Sequence, residues 1–167
     1  MPHAAPADPP ALQLSRWLPY RLFIVAARIA RPLQSYYGER FELSQPAWRI
    51  LATIAERAEA SASEIAHACA LDAFSVSRGI AQLVQRGYAV RGRARADRRR
   101  AAVSITAAGR QVFDDIARLG RAIEDALLAE VDAAQRAVLD TLLQRLDAAS
   151  AQIEAGGWPA LLPQAGR

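Results

Sequence analysis

The 167-residue sequence contains no lysine, one cysteine and two histidines. The single thiol, Cys69, excludes an internal disulfide. With only His3 and His67 beside it, the chain lacks the Cys/His set of a structural zinc site. Cys69 lies in "SEIAHACAL", a short apolar helical pattern in which a lone cysteine reads as a small buried hydrophobe rather than a redox thiol. There is no G-x-S-x-G, no glycine-rich phosphate loop and no H-E-x-x-H, and His67 has no sequence-local partner. No catalytic residue, metal ligand or cofactor is therefore expected, and the chain does not read as an enzyme. No run of 18 uncharged apolar residues occurs, which argues against a membrane helix. The opening "MPHAAPADPPALQ" has neither the basic nor the apolar part of a signal peptide, so it reads as a disordered leader (1–14) on a cytoplasmic protein.

What remains is an ordinary globular composition, 52% hydrophobic and 23% charged, in a chain of single-domain length. Its charge is unevenly spread. Between residues 61 and 106 eight arginines face only Glu64, Asp72 and Asp97, whereas residues 107–154 carry five arginines against nine acids. A positive middle segment on an otherwise neutral or acidic scaffold is the footprint of a nucleic-acid reader. The charge peaks in "RGRARADRRRAAVSIT", where six arginines occupy ten positions.

Hydrophobic periodicity sets the frame for that segment. Leu22, Ala26, Ile29, Leu33 and Tyr37 recur on one face of a helix that starts at Pro19 and is expected to end at Gly38. "LSQPAWRILATIAE" predicts a second helix with Ser44 as N-cap and Trp48, Leu51 and Ile54 facing inward. Ser61 with Glu64 forms a capping box for a short helix over about 62–69. Asp72 caps another over about 73–86, stopped by Gly87, so the pair makes a helix-turn-helix pattern. On its wheel Val76, Ile80, Leu83 and Val84 fall inward, and Phe74, Ser75, Arg78, Gln82 and Gln85 fall outward. Arginine matches guanine and glutamine matches adenine in the major groove, and an outward phenylalanine suits a thymine methyl or the sugar backbone. An ordinary solvated face explains these residues equally well.

"YAVRGR" and "AAVSIT" predict a two-stranded hairpin around the arginine-rich loop, with Val103 and Ile105 on one face. Thr106 is the expected N-cap of a long helix carrying Val112, Ile116, Leu119 and Ile123 inward. A last helix starts at Asp132, with Gln135 as its capping partner and Val138, Leu139, Leu142, Leu143, Leu146 and Ile153 along one side. A tail (155–167) follows.

This order of elements resembles the MarR family of bacterial transcriptional regulators. "DRRRAAVSITAAGR" is similar to the family's wing signature through Asp97, Arg99, Val103, Ile105 in the leucine position, Thr106 and Gly109. "DAFSVSRGIAQLVQRGYAV" resembles its recognition helix and following strand through Val76, Ser77, Arg78, Leu83, Arg86 and Gly87. The resemblance spans residues 19 to about 153 and implies a mainly α fold: a winged helix-turn-helix (about 44–106) with a small two-stranded wing, flanked by dimerisation helices (about 19–38 and 107–154), in one domain over 15–154. It further implies a homodimer with interleaved first and last helices, whose two lobes reach successive major grooves of a pseudopalindromic duplex. The terminal helices agree, since they carry more leucine and isoleucine than one lobe needs.

On this reading Phe74, Ser75, Ser77, Arg78 and Gln82 contact the major groove, and the wing brings Arg98 or Arg99 to the minor groove or its phosphates. Asp97 holds the Arg99 guanidinium in one rotamer, while Arg91, Arg93 and Arg95 supply diffuse attraction. The resemblance also implies a repressor released by a small aromatic acid, for which Arg21 would pair the acid while Tyr20 and Trp48 pack the ring. Two alternatives stay open: an RNA-binding protein, although the aromatic sheet motif of common RNA modules is missing, and a structural helical dimer with a basic loop.

Arg99→Ala is expected to weaken binding to every duplex sequence and to reduce the slope of log affinity against log salt by about 0.9 for each phosphate that is no longer neutralised. Gln82→Ala is expected to relax preference at one base position. Equal operator affinity of wild type and Arg99→Ala in a salt titration would remove Arg99 from the interface.

Overall fold

The computed structural model describes residues 12–93 and 101–162. Among these described residues, six α-helices and three short strands follow in the order α1 (Leu18–Phe41), α2 (Gln45–Arg57), β1 (Glu59–Ala60), α3 (Ala62–Cys69), α4 (Ala73–Gln85), β2 (Ala89–Arg93), β3 (Ala101–Ile105), α5 (Ala107–Leu127) and α6 (Ala133–Gly156). A single 3₁₀ turn, Trp158–Ala160, comes after α6. This is the mainly α, winged helix-turn-helix class expected from the sequence. The chain divides into two compact units, one running through Ile123 and the other from Glu124 onward.

In the first unit the caps fall where the sequence places them. Ser44 accepts from the Ala47 amide, Ser61 and Glu64 close a capping box, and Asp72 accepts from the Ser75 amide. Each satisfies amides that the first helical turn otherwise leaves unpaired. Helix α1 departs from expectation, since it continues through Gly38 to Phe41 and turns at Glu42 in the left-handed region (φ 50, ψ 39). A mid-helix glycine costs only about 1 kcal/mol relative to alanine. Packing of Tyr37 and Phe41 outweighs it: Tyr37 is buried, and Phe41 lies against the same core.

The core is built from Ile50, Leu51 and Ile54 of α2, Ile65 of α3, Val76, Ile80 and Leu83 of α4, and Ile116 of α5, all buried. Val84, expected inward, is instead exposed, and Gly79 takes the buried position. The reason is the close approach of α4 to α2. A Cβ on Gly79 would lie 2.5 Å from the Ile50 side chain and 3.3 Å from the Ala47 amide. The buried face of α4 is therefore centred between Gly79 and Leu83, and Val84 falls beyond its edge.

The hairpin gains a third strand. β3 pairs antiparallel with β2 on one side and with β1 on the other, in the order β1-β3-β2, with Ala60 opposite Val103. Two residues give no period to read, so β1 left no mark in the sequence. Val103 is buried and Ile105 partly so, as expected, but Ala102 is buried too and Ser104 is half-buried, so β3 is covered on both faces. After β3 the Thr106 hydroxyl donates to the Gly87 carbonyl (2.7 Å) and accepts from the Gly109 amide (3.0 Å), tying the start of α5 to the end of the helix-turn-helix. Arg110 then reaches back to the Ala55 carbonyl at the end of α2 (2.6 Å).

In the second unit α6 opens with the expected capping box of Asp132 and Gln135. None of its residues is buried. Val138, Leu139, Leu142, Leu143, Leu146 and Ile153 are each 36–58% exposed, so the stripe has no partner within the described residues.

Among the described glycines Gly109 makes the closest approach, since a Cβ there would sit 2.0 Å from the Tyr88 carbonyl oxygen. Gly109→Ala is expected to destabilise the protein by about 3 kcal/mol, at the upper end of overpacking costs, since backbone cannot rotate away as a side chain can. Urea denaturation measures it; a loss below about 0.5 kcal/mol would mean that α5 can lift off Tyr88 without penalty.

Candidate nucleic-acid interface

Helix α4 presents the outward face expected of it, but not as a row of equivalent polar groups. Phe74, in its first turn, is 69% exposed. One turn later the Arg78 guanidinium lies over the Phe74 ring at 5.6 Å from the centroid, within the range of a cation–π contact. Ser77 is exposed beside them. Pro46, Phe74, Arg78, Gly79, Gln82 and Gln85 help line an open concavity of about 530 Å³ along this face.

Ser75 and Gln82 spend their polar groups inside the chain. The Ser75 amide donates to one oxygen of Asp72 (2.8 Å) and its hydroxyl to the other (2.7 Å). These bonds, the backbone one foremost, hold the Asp72 carboxyl below the usual carboxylate range. The Gln82 carbonyl oxygen accepts from the Ser44 hydroxyl (2.7 Å) and the Ser44 amide (3.2 Å), while its NH₂ donates to the Glu42 carbonyl (2.8 Å). Arg86 makes an ion pair with the Glu42 carboxylate. These side-chain links fasten the outer edge of α4 to the junction between α1 and α2. The helical wheel puts Gln82 outward, whereas it is half-buried, because its partners stand 38 to 40 residues away, beyond any local pattern. Glu42 and Arg86 were missed as a pair for the same reason.

The expected effector residues are not assembled within one chain. Trp48 is stacked between Tyr37 and Phe113, with both pairs of ring centroids 5.9 Å apart, and so bridges α1, α2 and α5. Tyr20 and Arg21 are exposed at the other end of α1. Tyr20 precedes Tyr37 by 17 positions on one helix, which separates them by about 25 Å. Of the expected wing residues, Arg95, Asp97, Arg98 and Arg99 lie outside the described residues. Arg91 and Arg93 are exposed on β2. Cys69 is buried with its sulfur 3.2 Å from the Thr53 hydroxyl, in keeping with a packed small side chain. Among the described residues no group of three or more His, Cys, Asp or Glu could hold a metal ion, and no helix is long and apolar enough to cross a membrane.

Comparison with known proteins bears on this geometry. Residues 41–100 match the sequence model of the MarR family. No protein of curated function matches the chain by sequence. Among solved structures, a MarR/EmrR-family transcriptional regulator from Acinetobacter sp. ADP1 aligns over 84% of this chain and 99% of its own, at 22% identity and a TM-score of 0.76. BpsR of Bordetella bronchiseptica, whose DNA binding is regulated by 6-hydroxynicotinic acid, aligns over 81% of this chain and 96% of its own, at 20% identity and a TM-score of 0.69. A mutant MarR from E. coli complexed with operator DNA aligns over 77% of this chain and 92% of its own, at 21% identity and a TM-score of 0.64. The matched segment contains the whole helix-turn-helix and reaches into the arginine-rich loop.

The Asp72 cap has a testable pH signature. A carboxyl whose pKa is lowered on folding contributes stability that is fully present above its unfolded pKa and is lost as pH falls through the folded value. The stability gap between wild type and Asp72→Ala is expected to be constant from neutrality down to about pH 5 and to narrow below it, as read by urea denaturation across pH. A gap that stays constant down to about pH 2 would show that the carboxylate form is not what caps α4.

Proposed function

We propose that this protein, whose residues 41–100 match the MarR-family model and whose fold is that of MarR-type regulators, is a sequence-specific, double-stranded-DNA-binding transcriptional regulator. It acts as a homodimer on a pseudopalindromic operator, and as a repressor relieved by a small aromatic acid. The observation that carries the DNA-binding part is the outward face of α4. An exposed phenylalanine, an arginine laid over it and a serine stand on a helix fastened at its outer edge by Gln82 and Arg86. A helix so held loses little freedom when it enters a groove, which leaves more of each contact as net affinity.

Phe74, Ser77 and Arg78 meet base edges in the major groove. Ser75 and Gln82 keep the helix in place and offer the groove only what is left over, the hydroxyl lone pairs of Ser75 and the second N–H of the Gln82 amide. Arg95, Asp97, Arg98 and Arg99 form the wing's contact with the minor groove or phosphates, on the sequence argument alone. The match of residues 41–100 to the MarR-family model supports a regulator rather than an enzyme.

Two apolar surfaces support the dimer. The α6 stripe is exposed, and so are Leu18, Leu22, Phe23 and Val25 at the start of α1. Each half-exposed leucine leaves about 1 kcal/mol of burial unrealised, and a second copy supplies the missing surface. A two-fold dimer then sets the half-sites about 34–36 Å apart. The effector reading is supported by the ligand named for BpsR. In this chain Tyr20 and Arg21 could join Trp48 around a ligand only through a second copy.

Gel retardation and light scattering test the reading together. Wild type is expected to be a dimer that retards a selected duplex at nanomolar concentration, with structured RNA failing to compete. Leu142→Glu combined with Leu146→Glu is expected to yield helical monomers with at least a hundredfold weaker operator binding. Retention of the dimer by that variant would exclude α6 as the interface.

A further inference from the structure

The proposed function leaves open what α4 reads. Arginine is the commonest specific contact to guanine, bidentate to O6 and N7, and only thymine presents a methyl group in the major groove. Arg78 and Phe74 supply both complements as one unit, for the guanidinium lies 5.6 Å from the centre of an aromatic ring that is itself 69% exposed. Asp72 turns its two oxygens to the Ser75 amide and hydroxyl, and among the described residues no carboxylate pairs with Arg78. Gln82, the other expected base reader, is engaged within the chain, since its amide accepts from Ser44 and donates to Glu42. Glutamine's match to adenine needs both ends of that amide at once.

We propose that the Phe74–Arg78 pair is the specificity-determining element of this chain and reads a thymine adjacent to a guanine in each half-site, with Gln82 acting as a positioning residue. The ring packs on the thymine C5-methyl and limits the rotamers of Arg78, while the guanidinium fork meets the guanine edge. Stacking of a guanidinium on an aromatic face leaves its in-plane N–H donors pointing outward, so the two contacts do not exclude each other.

The inference rests on the DNA-binding reading above, and the experiment separates the two. Duplexes selected from a random pool by the full-length protein are expected to carry a T·A pair next to a G·C pair in each half-site. Replacing that thymine by deoxyuridine, which removes only the methyl group, is expected to weaken wild-type binding about fourfold. Replacing the guanine by 7-deazaguanine, which removes N7, is expected to cost about fivefold or more. Phe74→Ala is expected to bind the thymine and deoxyuridine duplexes equally, Phe74→Leu to retain part of the discrimination, and Arg78→Ala to lose discrimination against 7-deazaguanine. Gln82→Ala is expected to lower affinity for all duplexes while keeping the same base preferences, which distinguishes a positioning role from base reading. Circular dichroism checks that each variant keeps its helices; Phe74→Leu at an exposed site gives a folded comparison should Phe74→Ala fail. A selected consensus without the thymine–guanine pair, or Phe74→Ala retaining the deoxyuridine effect, overturns this inference and leaves the function standing. Failure to select any duplex sequence overturns both.

Discussion

The contact of α4 with α2 at Gly79 determines where every outward group of the helix-turn-helix stands. With no Cβ at that position, the α4 backbone approaches Ile50 and Ala47 to distances that no other residue permits. That approach rotates the helix, burying Val76, Ile80 and Leu83 and leaving Val84 outside. It also brings the Gln82 amide within hydrogen-bonding reach of Ser44, the residue that caps α2. Packing density, a helix cap and the aim of Phe74 and Arg78 are thus one geometric fact seen at three places along α4.

A second constraint joins this lobe to α5. Thr106 both caps α5 and donates to the Gly87 carbonyl, and Gly109 lets the α5 backbone rest on Tyr88. Arg110 returns to the last turn of α2, where its charge meets carbonyls at the negative end of the helix. The run from Thr106 to Arg110 therefore ties three elements within a little over one helical turn. This gives a physical reason for the threonine and glycine of the wing signature: one satisfies backbone groups on two elements, and the other removes the atom that would push them apart.

What the sequence made legible follows the range of the interactions involved. Ser44, Ser61, Asp72 and Asp132 act on amides three residues away, and all four caps were placed from the sequence. The stripe of α4 was read correctly at Val76, Ile80 and Leu83, because the helical period is local. Val84 was misplaced because the centre of a buried face depends on how closely a neighbouring helix approaches, which Gly79 sets. Glycine is a frequent terminator, so Gly38 reads as a stop, yet packing of Tyr37 and Phe41 carries the helix on to Glu42, where the backbone turns left-handed. β1 is too short for any pattern, and the bonds of Gln82 and Arg86 to the α1–α2 junction join residues 40 and 44 positions apart. The outward face of α4 was legible as a face, but not which of its groups were already engaged.

That last distinction bears on how such a helix discriminates among sequences. A glutamine bonded only to water in the unbound protein exchanges those bonds for a bidentate pair with adenine. One already bonded to Ser44 and Glu42 must break those bonds first, and the exchange gives little net preference. Arg78 faces no such exchange. Its neighbour is an aromatic ring, which restricts the guanidinium without consuming its donors, so a wrong base leaves buried N–H groups unpaired at a cost of several-fold in affinity. On the proposed reading, specificity in this face comes from the residues the fold leaves free of bonds within the chain, and the aim of the helix from those it has already tied down.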